Sequence, residues 1–155
     1  MRYTLRNGLL QIQSQRLALI GSLAACLVAG CGPSYERTEH YPTREDALRA
    51  GAFDRGWLPE WLPASSREIW ETHNLDSNEI YVKFEFNRAE LEGCLKAAHA
   101  VLIEEKKRPQ LPTISESWWP KKLPLTYCYL VNHGEAKSVL ALDAATSTIV
   151  LWSKP

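Results

Sequence analysis

The chain has 155 residues, enough for one domain and too few for two of ordinary size. At 45% hydrophobic and 23% charged residues it falls outside the disordered, collagen-like and multi-span membrane classes. Lys+Arg and Asp+Glu both number 18, but residues 1–30 hold Arg2, Arg6 and Arg16 and no acid, leaving 15 basic and 18 acidic residues over 31–155, a net of −3. A mildly acidic domain lacks the electrostatic footprint that phosphate backbones require, so no nucleic-acid partner is expected.

Residues 1–30 read as an export signal. A basic stretch ends at Arg16, and LALIGSLAACLVAG then runs from Leu17 to Gly30 without a charge. That is short of the ~20 residues a membrane-spanning helix needs, and it fits the apolar core of a signal peptide. The run closes on Val28-Ala29-Gly30-Cys31, after which the chain turns polar. This ending resembles the lipobox of bacterial lipoproteins. The resemblance implies that Cys31 takes a diacylglycerol on its thiol, becomes the first mature residue and carries further acyl chains such as palmitate. Leu23-Ala24-Ala25-Cys26 is a rival box, but it would leave Leu27-Val28-Ala29-Gly30 on the mature terminus, so Cys31 is preferred. Gly32, where an aspartate would mark retention, resembles the outer-membrane sorting pattern of enteric bacteria.

With Cys26 removed and Cys31 lipidated, Cys94 and Cys128 remain. Two cysteines in an oxidising compartment read as a structural disulfide rather than a metal or redox site. The bridge would close a loop of about 35 residues, for which chain entropy gives roughly 4 kcal/mol.

Residues 31–42, polar with two prolines, read as a flexible tether, and 43–155 as a single domain. Thr43 opens a T-x-x-D capping box to Asp46, predicting a short helix that Gly51 stops. FDRGWLPEWLPASS must be an ordered loop, because Pro59 and Pro63 bar regular structure while its aromatic residues would be costly in water. Ile69–His73 and Ile80–Phe86 predict a hairpin around Asn74-Leu75-Asp76-Ser77-Asn78. Asn87 and Glu90 form a second capping box for a helix to about Glu105, with Leu91, Cys94, Leu95, Ala98, Val101 and Leu102 on one face. A loop with Trp118 and Trp119 leads to strands Thr126–Asn132, Lys137–Asp143 and Thr146–Trp152. The expected fold is α+β, a mainly antiparallel sheet of about five strands with two helices packed on one face, in the order α-β-β-α-β-β-β. In that arrangement Cys94 reaches Cys128 on the adjoining strand.

Signals for chemistry are few. His40, His73, His99 and His133 are scattered, with no HxxxH or CxxC spacing, so neither a metal nor another cofactor is expected. No nucleotide-binding or hydrolase motif occurs. Ser65-Ser66 reads as capping, and Glu71 with Asp76 as solvated carboxylates rather than a glycosidase pair. No catalytic residue is assigned. Six tryptophans are unusual for this length. Trp57, Trp61, Trp118 and Trp119 lie in proline-bearing loops and form the candidate interaction surface, while Trp70 and Trp152 read as core.

Gly56-Trp57-Leu58-Pro59, Leu62-Pro63, then Ile69, Glu71, His73, Leu75-Asp76, Asn78, Phe84 and Phe86 resemble a motif of uncharacterised small bacterial lipoproteins. The resemblance spans about residues 43–90 and implies a family fold and an envelope location, with no activity attached. The resulting expectation is a lipid-anchored protein of the bacterial cell envelope, on the outer membrane facing the periplasm. It would be a non-enzymatic module binding an envelope protein or glycan. The alternative is a small enzyme or enzyme inhibitor acting on cell-wall material.

Overall fold

The computed structural model describes residues 35–122, 127–133 and 136–153. Among them one antiparallel sheet of seven strands runs in the order β1-β2-β3-β7-β6-β5-β4. The strands are β1 (Glu36–Thr43), β2 (Arg67–Asn74), β3 (Glu79–Glu85), β4 (Val101–Leu102), β5 (Tyr127–His133), β6 (Ala136–Asp143) and β7 (Thr148–Ser153). Two meanders meet at the β3–β7 pairing, where Val82 faces Leu151 and Phe84 faces Ile149. β7 is apolar on both faces, which suits a strand buried from both sides.

This overturns the expectation of five strands with two helices packed on one face. The two extra strands come from segments whose composition suggests something else. Residues 36–42 read as tether and Thr43 as a helix cap, yet all of 36–43 forms a strand that pairs with β2 from Glu36↔Asn74 to Thr43↔Arg67. As an edge strand β1 is mostly exposed, so it stays polar and tolerates Pro42. Val101 and Leu102 continue a helical period, yet they pair with Leu130 and Tyr129 of β5.

The helices are short. The first, α1, is Arg44–Arg49, and Thr43 caps it as expected: its Oγ accepts from the Asp46 backbone N–H at 3.2 Å. Gly51, at φ +72°, ends it in a Schellman turn, with Gly51 N–H donating to Leu48 and Ala52 N–H to Ala47. The second, α2, is Leu91–Ala97 and stops well before Glu105. His99 adopts φ +49° there and makes the same turn, its N–H donating to Lys96 while Ala100 donates to Leu95. That reversal releases Val101 to the sheet. The fully buried residues of α1 and α2 are Ala47 and Cys94 alone, so helices do not form the covering layer.

Loops do. Alternate strand residues divide between two apolar clusters, one on each face. Ile69, Val82, Phe84, Val131, Leu140, Leu142, Ile149 and Leu151 share the first with Leu58 and Leu62 of the proline loop. Cys128, Val139, Ala141, Val150 and Trp152 share the second with Trp118 and Trp119, and Leu111 and Ile114 pack against it. Each proline- and tryptophan-bearing loop thus closes one face. Each fully buried large side chain contributes about 1.5–3 kcal/mol, so the loops are part of the core. The hairpin turns follow their side chains. Asn74 Oδ1 accepts from Asp76 and Ser77 N–H, and Asp143 Oδ1 accepts from Ala145 N–H.

Candidate functional site

The first face carries most of the polar groups that burial isolates. Glu71 and His73 are two residues apart on β2, and the strand's period of two points both toward the proline loop. Glu71 is 0% and His73 2% exposed. Their side chains meet at 2.7 Å, Oε1 to Nδ1. Trp57 of the loop stacks on the imidazole with ring centroids 3.8 Å apart, and the Arg55 guanidinium lies 3.9 Å over the Trp57 ring. Imidazole, indole and guanidinium form a three-layer stack that fixes the loop over β2.

Burial dominates the electrostatics of this pair. It raises Glu71 from its ordinary 4.5 to about 8, with the Glu39 charge adding to the rise and Arg55 opposing it. It lowers His73, and Arg37 and Arg55 act in the same direction while Glu39 opposes. Near neutral pH the contact is therefore a hydrogen bond between a carboxylic acid and a neutral imidazole, not an ion pair. Glu71 Oε2 and His73 Nε2 lie buried without a hydrogen-bond partner. Such a pair has the chemistry of a general acid and base, but the closed loop shields it from any substrate.

On the far side of the same loop lies an open cleft of about 640 Å³. Phe53, Gly56, Leu58, Pro59, Glu60 and Trp61 line it from the loop, Ala97 from α2, and Asn132 and His133 from β5. Trp61 is half-buried, packs against the first cluster, and donates its indole N–H to the Asn132 carbonyl at 2.8 Å. His133 is 9% exposed, and its Nε2 is buried without a partner. Burial lowers its pKa, and the Gly56 backbone partly offsets this.

The four candidate tryptophans therefore part company. Trp118 and Trp119 are buried in the second cluster, in edge-to-face contact, and Trp119 donates to the Pro112 carbonyl at 2.9 Å. They are core, because the second face would otherwise meet water. Trp57 is spent on His73, and Trp61 alone lines the open cleft. Trp152 is core as expected, and Trp70 packs against the second cluster from a half-buried position.

Cys94 and Cys128 are not brought together. Both are buried free thiols. Cys128 belongs to the second cluster, whereas α2 lays Leu91 and Leu95 on the first, so the sheet lies between them. The lipidation candidate Cys31, its rival Cys26 and the signal sequence lie outside the described residues.

The Glu71–His73 pair was legible: I-W-E-T-H on a strand puts Ile69, Glu71 and His73 on one buried face. Weighing Glu71 against Asp76 misses this, because Asp76 lies in the turn with its backbone on Asn74. His133 follows Tyr129 and Val131 by the same rule. Among the described residues no group of three or more His, Cys, Asp or Glu is placed to hold a metal ion. No described helix is long and apolar enough to cross a membrane.

Fold and site together define a class: an antiparallel sheet closed on both faces by aromatic proline loops, one loop covering a buried acid–imidazole pair and bordering an open cleft. A family model described as the YbbD head domain matches residues 36–85, from the first residue of β1 to the last of β3. The match suggests a YbbD-like bacterial family and takes in Arg55, Trp57, Glu71 and His73. It stops short of β5, which supplies the other wall of the cleft. No curated protein and no solved structure matches the chain.

Proposed function

We propose that this protein is a bacterial outer-membrane lipoprotein, anchored through Cys31, whose domain faces the periplasm as a non-enzymatic binding module. It would belong with the small lipoproteins that share the G-W-L-P, L-P and I-x-E-x-H-x-L-D-x-N pattern. The binding role is carried by one observation: the proline loop holds Trp61 half-exposed in a cleft of about 640 Å³ beside a buried, unpartnered His133 Nε2. Orphaned polar groups beside an aromatic wall are the ordinary composition of a recognition site. Support for the anchor comes from the charge-free run ending in Val28-Ala29-Gly30-Cys31. Lipidation there would give stable attachment, at about 0.8 kcal/mol for each buried CH₂.

Two experiments test the two halves. Cys31→Ser should accumulate an uncleaved, unlipidated precursor, and normal maturation of that variant refutes the anchor. A photocrosslinker at Glu60, on the cleft rim, should give one stoichiometric envelope adduct in cells that Trp61→Ala abolishes. Adducts indifferent to Trp61→Ala would place binding elsewhere.

The 2.7 Å contact between Glu71 and His73 favours a second reading, an enzyme or enzyme inhibitor acting on cell-wall material. It requires the loop to lift from β2. Turnover of purified cell-wall material that disappears in Glu71→Gln would establish the enzyme.

A further inference from the structure

We infer that the cleft between the proline loop and β5 is a site for an uncharged saccharide, with Trp61 as the stacking platform and His133 as the hydrogen-bonding partner of a sugar hydroxyl. The inference rests on the binding reading above and assigns a ligand class to that same cleft.

The platform is built rather than incidental. Trp61 donates to the Asn132 carbonyl at 2.8 Å, so its ring is held at one angle to the cleft. An indole is a flat apolar surface of the kind that the C–H face of a pyranose covers, and the part of Trp61 left uncovered by the first cluster lines the cleft.

The second group selects for hydroxyls. His133 Nε2 is buried without a partner, and an unpaired buried polar atom costs about 1–3 kcal/mol until something pairs it. The surrounding burial keeps the ring uncharged near neutral pH. A neutral imidazole nitrogen either donates or accepts according to tautomer, and a hydroxyl matches both. A purely apolar ligand would leave it unpaired.

Charge narrows the class further. Among the described residues the lining contains no Lys or Arg, and its one charged side chain is the Glu60 carboxylate. A phosphate or carboxylate ligand would meet the Glu60 carboxylate with no cation among the described lining residues, the Arg44 guanidinium being engaged by Phe53 and the Glu60 and Leu62 carbonyls, whereas Glu60 can accept from a sugar hydroxyl. An extended peptide finds no free strand edge at this point. Val101 and Leu102 already pair with β5, Asn132 N–H donates to Ala98, and the Asn132 carbonyl accepts from Trp61. The volume, about 640 Å³, is ample for a saccharide segment and falls in the range of about 300–1,000 Å³ usual for ligand sites.

The test is a calorimetric and tryptophan-fluorescence titration of the full-length protein in detergent with chitotetraose and cellotetraose. Saturable binding of at least one is expected, with Kd at or below about 1 mM. Trp61→Ala should weaken it at least about tenfold, and His133→Phe about tenfold. If His133→Phe fails to fold, Trp61→Phe serves instead, since it keeps a stacking ring and should lose less affinity than Trp61→Ala. Failure of both sugars to bind, or binding unchanged by Trp61→Ala, overturns the assignment. If both sugars fail while the Glu60 crosslink to an envelope protein still depends on Trp61, the saccharide falls and the binding reading stands. If both are absent, both fall.

Discussion

Trp57 stacks on His73 with ring centroids 3.8 Å apart, and through this contact the proline loop is fastened to the sheet. The indole covers an imidazole that is itself bonded to Glu71, so one aromatic contact seals the only buried acid–base pair among the described residues. The same loop carries Trp61 to the opposite border, where it forms the cleft with β5. Closure of one site and exposure of the other are thus two ends of one loop conformation.

Removing that fastening should loosen the loop. Trp57→Ala is expected to cost about 2–4 kcal/mol, from lost burial and lost stacking. Trp57→Phe should recover much of this by keeping a ring over His73. Urea unfolding of the three proteins measures it, and an alanine variant as stable as wild type would mean the stack contributes nothing.

The buried carboxyl gives stability a specific pH dependence. Because Glu71 is raised from 4.5 to about 8, the folded protein holds a proton across that window that the unfolded chain releases. Its contribution is complete at acid pH and is lost as pH rises toward 8. His73 and His133 are lowered from 6.5 by burial, so they act with the opposite sign and only as pH falls below that value. Between pH 6.5 and 8 the carboxyl dominates, and stability should fall by about 1 kcal/mol per pH unit. Glu71→Gln should flatten this slope. Unfolding curves at the two pH values decide it, and an equal slope in both proteins would show that Glu71 is already ionised.

The cysteines should behave as two independent thiols. Alkylation in urea without reductant, followed by peptide mapping, should recover Cys94 and Cys128 unlinked. In the folded protein Cys94 should react slowly, since burial pushes its thiol up to about 11. The costs of Cys94→Ala and Cys128→Ala should add to within about 0.5 kcal/mol, as they do for separated sites. A cross-linked peptide would instead reinstate the bridge.

His99 offers the opposite kind of change. It is exposed and holds φ +49°, a left-handed conformation that costs a residue with a β-carbon about 1–2 kcal/mol. His99→Gly should therefore stabilise the protein by about 0.5–1 kcal/mol after glycine's larger unfolded-state entropy is deducted. Thermal melts would show it, and a lower melting temperature would mean that the His99 side chain makes a contact worth more than the strain.

Short-range signals were read correctly because each is complete within a few residues. Thr43 with Asp46 starts a helix, Gly51 ends it, and Asn74 and Asp143 turn their hairpins through their own side chains. The alternation in β3 and the apolar run in β7 likewise carry their own periods. The Glu71–His73 pair was overlooked although its signal was equally local: Glu71 reads as solvated beside Asp76, whereas residues two apart on a strand share a face by geometry alone, and here that face is buried.

What the sequence determined by itself is the local conformation of these segments. Tertiary structure decided everything that depends on a partner distant in the chain. Glu36–Thr43 becomes a strand because β2 offers a row of unpaired backbone groups, and Val101–Leu102 leaves its helix because β5 offers another. Trp118 and Trp61 have similar proline-rich surroundings, yet one fills a sheet face and the other borders a cleft. Cys94 and Cys128 look pairable on a one-dimensional map, but the sheet passes between them. Backbone hydrogen bonds must be satisfied and apolar faces covered, and which segment meets each demand is set by proximity in space, which no local pattern encodes.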